Sequence, residues 1–106
     1  MPTDVDDVTG LGPLSIVVEP TRWRIVQMLA REELCVCHLV EELGLPQPLV
    51  SHHLRALRDA ELVETSRHRY WTYYRLRPES LRRIADELRL LVKHAPPPGK
   101  ARRPCC

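Results

Sequence analysis

The stretch Glu33-Leu-Cys-Val-Cys-His-Leu-Val-Glu-Glu-Leu43 sets two thiols, Cys35 and Cys37, one residue apart, and a second pair stands at Cys105 and Cys106. The N-terminal "MPTDVDDVTG" lacks the basic start and apolar core of a signal peptide, and no apolar run is long enough to span a bilayer, so a cytoplasmic chain is expected. In that compartment thiols serve as metal ligands or redox groups rather than as a disulfide framework, and adjacent or alternate cysteines are poorly placed to bridge each other. Cys35 and Cys37 fall at the expected N-terminus of a helix, where the macrodipole and unpaired N–H groups favour thiolate. Residues two apart in an ideal helix point about 200° from each other, so joint ligation predicts that the helix start must unwind. His38, beside the pair, reads as a helix surface residue, with a borderline ligand for zinc as the alternative.

The elements that must position these thiols follow from period and punctuation. A chain of 106 residues makes one domain, since a second core would need roughly 50 residues of its own. Residues 1–12 are acidic and Gly-punctuated and are expected to be flexible, 13–94 carry continuous periodic structure, and 95–106, "APPPGKARRPCC", form a flexible Cys-terminated tail. After Pro13, "LSIVV" gives a short helix; Pro20 opens a second with Ile25, Val26 and Leu29 inward. Val36, Leu39, Val40 and Leu43 make the stripe of a third, capped by Gly44. Pro48 leads a fourth whose inward face is Val50, His53, Leu54 and Leu57, with His53 expected as a packed, hydrogen-bonded core histidine. "LVETS" and "YWTYYRL" then form a hairpin around "RHR", with Trp71, Tyr73 and Tyr74, like Trp23, expected to serve packing. A last helix runs from about Pro78 to His94.

The order is helix, helix, helix, helix, hairpin, helix: mainly α with a small β-hairpin, the arrangement of a winged helix-turn-helix. Leu81, Ile84, Leu88 and Leu91 make an apolar face on the last helix with no obvious partner in so short a chain, which predicts a homodimer through the terminal helices. Charge is divided: residues 1–45 carry three Lys/Arg against eight Asp/Glu (−5), and residues 46–106 carry thirteen against six (+7). Such a basic half suits a polyanion such as nucleic acid, and with the helix-turn-helix order the expected partner is double-stranded DNA. Gln47, Ser51, His52 and Arg55, away from the apolar stripe, are expected at base edges, with Arg58 beside a phosphate. Arg67, His68 and Arg69 at the wing tip are expected on backbone or minor groove.

"EPTRWRIVQMLA", "ELCVCHLVEELGL", "QPLVSHHLRALRDAELVE" and "YWTYYRL", spread over about residues 14–92, resemble the ArsR/SmtB family of metal-responsive repressors. Ser51, His53, Leu54 and Leu57 supply its S-x-H-L-x-x-L pattern, and "ELCVC" resembles the arsenic- and antimony-sensing branch. The resemblance implies a homodimeric repressor on an inverted-repeat operator, released when a thiophilic ion binds. Trivalent arsenic and antimony, As(III) and Sb(III), typically take three thiolates in a pyramid. In the arsenic branch a third cysteine commonly follows the pair by three residues; that position here is Val40. Cys105 or Cys106 is therefore the candidate third ligand, across a tail that in polyproline-like form reaches on the order of 30 Å. The wing turn of relatives usually holds glycine, where this chain offers Arg69, and the D-x-H zinc pair of other members is missing after Asp86. A repressor of the same fold sensing Cd, Pb or oxidants is the alternative. A thiol redox enzyme or metalloid-transfer protein is disfavoured, because there is no C-x-x-C near a βαβ pattern and no acid/base pair around the thiols. No catalytic residue, catalytic cofactor or membrane partner is expected.

Overall fold

The computed structural model describes residues 12–102, so Cys105 and Cys106 lie outside the described residues. Within the described residues five helices and three short strands follow in the order α1 (Gly12–Val17), α2 (Pro20–Leu29), β1 (Leu34–Cys35), α3 (Val36–Leu43), α4 (Gln47–Asp59), β2 (Val63–His68), β3 (Trp71–Leu76) and α5 (Pro78–His94). Each helix end has a local cause. Glu19 caps α2, its carboxylate accepting from Arg22 N–H at 2.8 Å, and Pro20 takes a position whose N–H would be unpaired anyway. Gly44, at φ 67°, ends α3 in the left-handed region, and α4 begins after only Leu45 and Pro46, which makes the tight helix-turn-helix. α4 ends in a Schellman arrangement: Glu61 N–H donates to the Arg58 carbonyl and Leu62 N–H to the Leu57 carbonyl, both at 2.9 Å. Glu61 adopts φ 61° there without being glycine.

The stripes read from the sequence meet in one core. Ile25 of α2, Leu39 of α3, Val50, Leu54 and Leu57 of α4, and Leu62 and Val63 entering β2 are almost wholly buried. Each contributes about 1.5–3 kcal/mol by leaving water. α3 and α4 pack directly on each other. His53 is buried as expected: its Nδ1 accepts from the Arg22 guanidinium at 3.1 Å, with Glu19 at 3.9 Å.

Two features depart from the sequence reading. The hairpin is part of a three-stranded antiparallel sheet in the order β1-β3-β2, with Leu34 opposite Tyr74 and Cys35 opposite Tyr73. Ile84, expected on a dimer face, is 9% exposed within the chain's own core, and Leu81 packs against that core. The outward remainder of α5 is Leu88, Leu90, Leu91 and Val92.

Candidate functional site

Pairing of β1 with β3 decides the geometry of the thiols. Because Cys35 is held opposite Tyr73, its backbone is extended (φ −90°, ψ 170°) and it serves as the N-cap of α3 rather than lying within it. Cys37 is the second residue of the helix, and the two Sγ atoms lie 2.7 Å apart. The expectation that the helix start must unwind for joint ligation is thus corrected: the sulfurs already converge, since the 200° relation holds only when both residues are helical.

His38 is exposed on the helix surface, as expected, and it also joins the two thiols in one cluster. Its Nδ1 accepts from Cys35 N–H at 3.2 Å, the return half of a capping box with imidazole in place of the usual carboxylate, and lies 3.3 Å from Cys35 Sγ. Sulfur, sulfur and nitrogen of Cys35, Cys37 and His38 fall within 4.8 Å of one another. Burial pushes the Cys35 thiol up, but the Cys37 thiol and the backbone N–H groups of His38, Cys37 and Cys35 outweigh it, so the net shift is downward. The Cys37 thiol is pushed up, first by its hydrogen bond to Cys35, then by desolvation and by the neighbouring thiolate.

A groove of about 490 Å³ opens from these sulfurs, walled by Val36, Val40, Glu41, Gln47, Trp71 and Thr72. It joins three elements: the start of α3, the first residue of α4 and the first strand residues after the wing turn. Sequence reasoning assigned Trp71 to packing, yet it is 54% exposed on this groove, and Trp23 is 47% exposed beside α1 and α5. Alternation in "YWTYYRL" could not reveal this, because Trp71 gains its neighbours from α3 and α4.

On α4, Gln47, His52, Arg55 and Arg58 are exposed and Ser51 half-buried, opposite the buried Val50, His53, Leu54 and Leu57. Arg67, His68 and Arg69 are exposed at the ribbon tip, where Arg67 stands opposite Thr72 and His68 opposite Trp71. Arg69 takes φ 58° at the first of the two turn positions, the place where a type II′ turn prefers glycine. Among the described residues Arg55, Arg58, Arg67 and Arg69 make no ion pair, whereas Arg75 bridges Glu33 and Glu64 and Arg77 bridges Glu64 and Glu79. A second groove, about 480 Å³, runs between α1, α2 and α5 and is lined by Leu14, Val17, Val18, Trp23, Leu81, Ile84, Ala85 and Leu88.

A helix-turn-helix with a basic outer face, a β-wing with free arginines and a dithiol at the junction define a winged helix-turn-helix regulator. Residues 19–65 match the family described as "Bacterial regulatory protein, arsR family". The chain is 36% identical over 78 residues, 74% of its length and 75% of the relative's, to the arsenical resistance operon repressor of Staphylococcus xylosus, and it belongs to the ArsR family. It is 47% identical over 64 residues to the arsenic resistance transcriptional regulator ArsR1 of Pseudomonas putida, covering 59% of this chain but 50% of that one, so it spans about half the length of that relative. The HTH-type transcriptional regulator KmtR of Mycobacterium tuberculosis is 37% identical over 82 residues, with 77% of this chain and 63% of that one covered. Among solved structures, a possible transcriptional regulator for arsenical resistance superposes with a TM-score of 0.65 at 36% identity, over 82% of this chain and 99% of that one. These relatives are transcriptional regulators, not enzymes.

Proposed function

We propose that this chain is a cytoplasmic transcriptional repressor that holds an inverted-repeat operator as a homodimer and releases it when As(III) or Sb(III) is captured by Cys35 and Cys37. The observation that carries the reading is the 2.7 Å approach of the two sulfurs at the N-cap of α3, on the helix that packs against α4. α4 reads DNA through Gln47, Ser51, His52 and Arg55 with Arg58 on a phosphate; the wing adds Arg67, His68 and Arg69; Leu88 and Leu91, with Leu81 and Ile84 behind them, carry the dimer contact. Cys105 or Cys106 supplies the third thiolate for an inorganic ion. Capture then shifts the dimer toward a state with poorer DNA affinity, as linkage requires when the ion prefers that state, and a differential of about 3 kcal/mol lowers affinity on the order of 150-fold.

The test is an operator-release titration of labelled duplex. Cys37→Ser keeps operator affinity and loses release by arsenite; a variant that still lets go would remove the thiol pair from the mechanism. One distance favours a second reading: His38 Nδ1, 3.3 Å from Cys35 Sγ, completes an S₂N donor set that suits thiophilic divalent ions, soft Cd(II) or borderline Zn(II). Parallel titrations with arsenite, antimonite, Cd(II) and Zn(II) separate the two, since His38→Ala weakens the response to the divalent ions alone.

A further inference from the structure

We propose that the groove beside the thiols receives the organic substituent of a monosubstituted trivalent arsenical, so that the inducer this site fits best carries one arsenic–carbon bond. The inference rests on arsenic sensing by Cys35 and Cys37 and names the chemical class of the inducer. Two sulfurs converge, and among the described residues no third thiol joins them. One turn beyond Cys37 the side chain is that of Val40, half-buried, and it forms part of the groove wall. The other apolar surfaces there are Val36 and the Trp71 indole. On α3 itself a branched hydrocarbon stands where a third donor would complete the pyramid, so an inorganic ion draws its third thiolate from the tail whereas an arsenical with one carbon substituent needs none.

The stoichiometry matches. An arsenical of form R–As(OH)₂ has two exchangeable bonds and one to carbon. Each thiol displaces one hydroxide: two As–O bonds break, two As–S bonds form, and the thiol protons leave with the hydroxides as two waters. Arsenic stays trivalent and keeps its lone pair, so no oxidant or reductant takes part. The third bond of the pyramid then points R into the groove, where Val36, Val40 and Trp71 remove it from water. Gln47, the first residue of α4, and Trp71, the first of β3, both line the groove, so the substituent presses on the starts of the recognition helix and of the returning wing strand.

The experiment is operator release by the full chain with two probes, arsenite and phenylarsine oxide. Phenylarsine oxide is expected to act at a concentration about 10-fold lower, equivalent to about 1.4 kcal/mol. Cys105→Ser/Cys106→Ser leaves the phenyl response in place and weakens that to arsenite. Val40→Cys, smaller by one heavy atom, supplies a third thiol and removes part of the wall, so it reverses the order of the probes. Trp71→Ala raises the phenyl concentration needed while leaving arsenite unchanged, which distinguishes a groove from simple dithiol affinity. The proposal is overturned if arsenite acts at an equal or lower concentration than phenylarsine oxide, or if neither Val40→Cys nor Trp71→Ala alters their ratio. Release by neither probe overturns the arsenic reading itself.

Discussion

Replacing Arg67 and Arg69 together by glutamine tests whether the wing tip touches DNA. Both side chains are exposed and, among the described residues, free of carboxylates, whereas Arg75 on the same ribbon is tied to Glu64 at 3.3 Å and to Glu33 at 4.0 Å. A free guanidinium gains a phosphate without losing a partner; a bridged one exchanges one anion for another. If each tip arginine neutralises one phosphate, a dimer loses four contacts, and at about 0.9 per contact the slope of log K against log salt becomes shallower by about 3.6. Between about 50 and 200 mM salt the parent then loses about 150-fold more affinity than the variant. Fluorescence anisotropy of labelled operator across that range measures both slopes. Glutamine leaves the strain at φ 58° unchanged, so the turn itself is not altered. Arg75→Gln is the control and shifts the slope little. An unchanged slope in the double variant, or an equal change in the Arg75 variant, would refute the argument.

Three further outcomes are expected. Glu61→Gly relieves the left-handed residue that closes α4, and after the entropy cost of glycine stabilises the fold by about 0.5–1 kcal/mol, read as a higher urea midpoint; a lower midpoint contradicts the Schellman argument. Burial holds the His53 pKa below its usual value of 6.5, with Arg22 and His52 acting the same way and Glu19 against them, so the unfolded chain binds the proton more readily. The contribution of His53 to stability is complete above about pH 6.5 and declines as pH falls from there toward the folded pKa. The difference in Tm between parent and His53→Gln should therefore shrink on acidification from about pH 7.5 to 5.5, and a growing difference would reverse the sign. Leu88→Arg, at a half-exposed position on the groove between α1, α2 and α5, should sediment as a single chain and fail to hold the inverted repeat, where the parent sediments as two; a dimeric variant would move the interface elsewhere.

How much was legible in the residues depends on how far apart the interacting groups lie. The stripes of α2, α3 and α4, the Gly44 stop, the α5 span Pro78–His94 and the hairpin are local patterns, and each appears in the structure where its period places it. The same holds for His53, whose place on the Val50–Leu57 stripe put it inside. The Glu61 turn left no trace, because left-handed backbone is inferred from glycine and none stands there. The meaning of Cys35-Val-Cys37 was decided by the fold alone. Within a local window the helix period extends through Cys35 and turns the sulfurs apart; a ladder pairing with Tyr73, 38 positions later in the chain, draws Cys35 out of the helix and brings them together. His38 became a partner of that thiol for the same reason, and Val40, Gln47 and Trp71 came to share one groove. Residue type and spacing thus determined that two thiols stand at the start of α3, while the angle between them and the shape of the space before them rest on contacts between elements that no stretch of sequence contains.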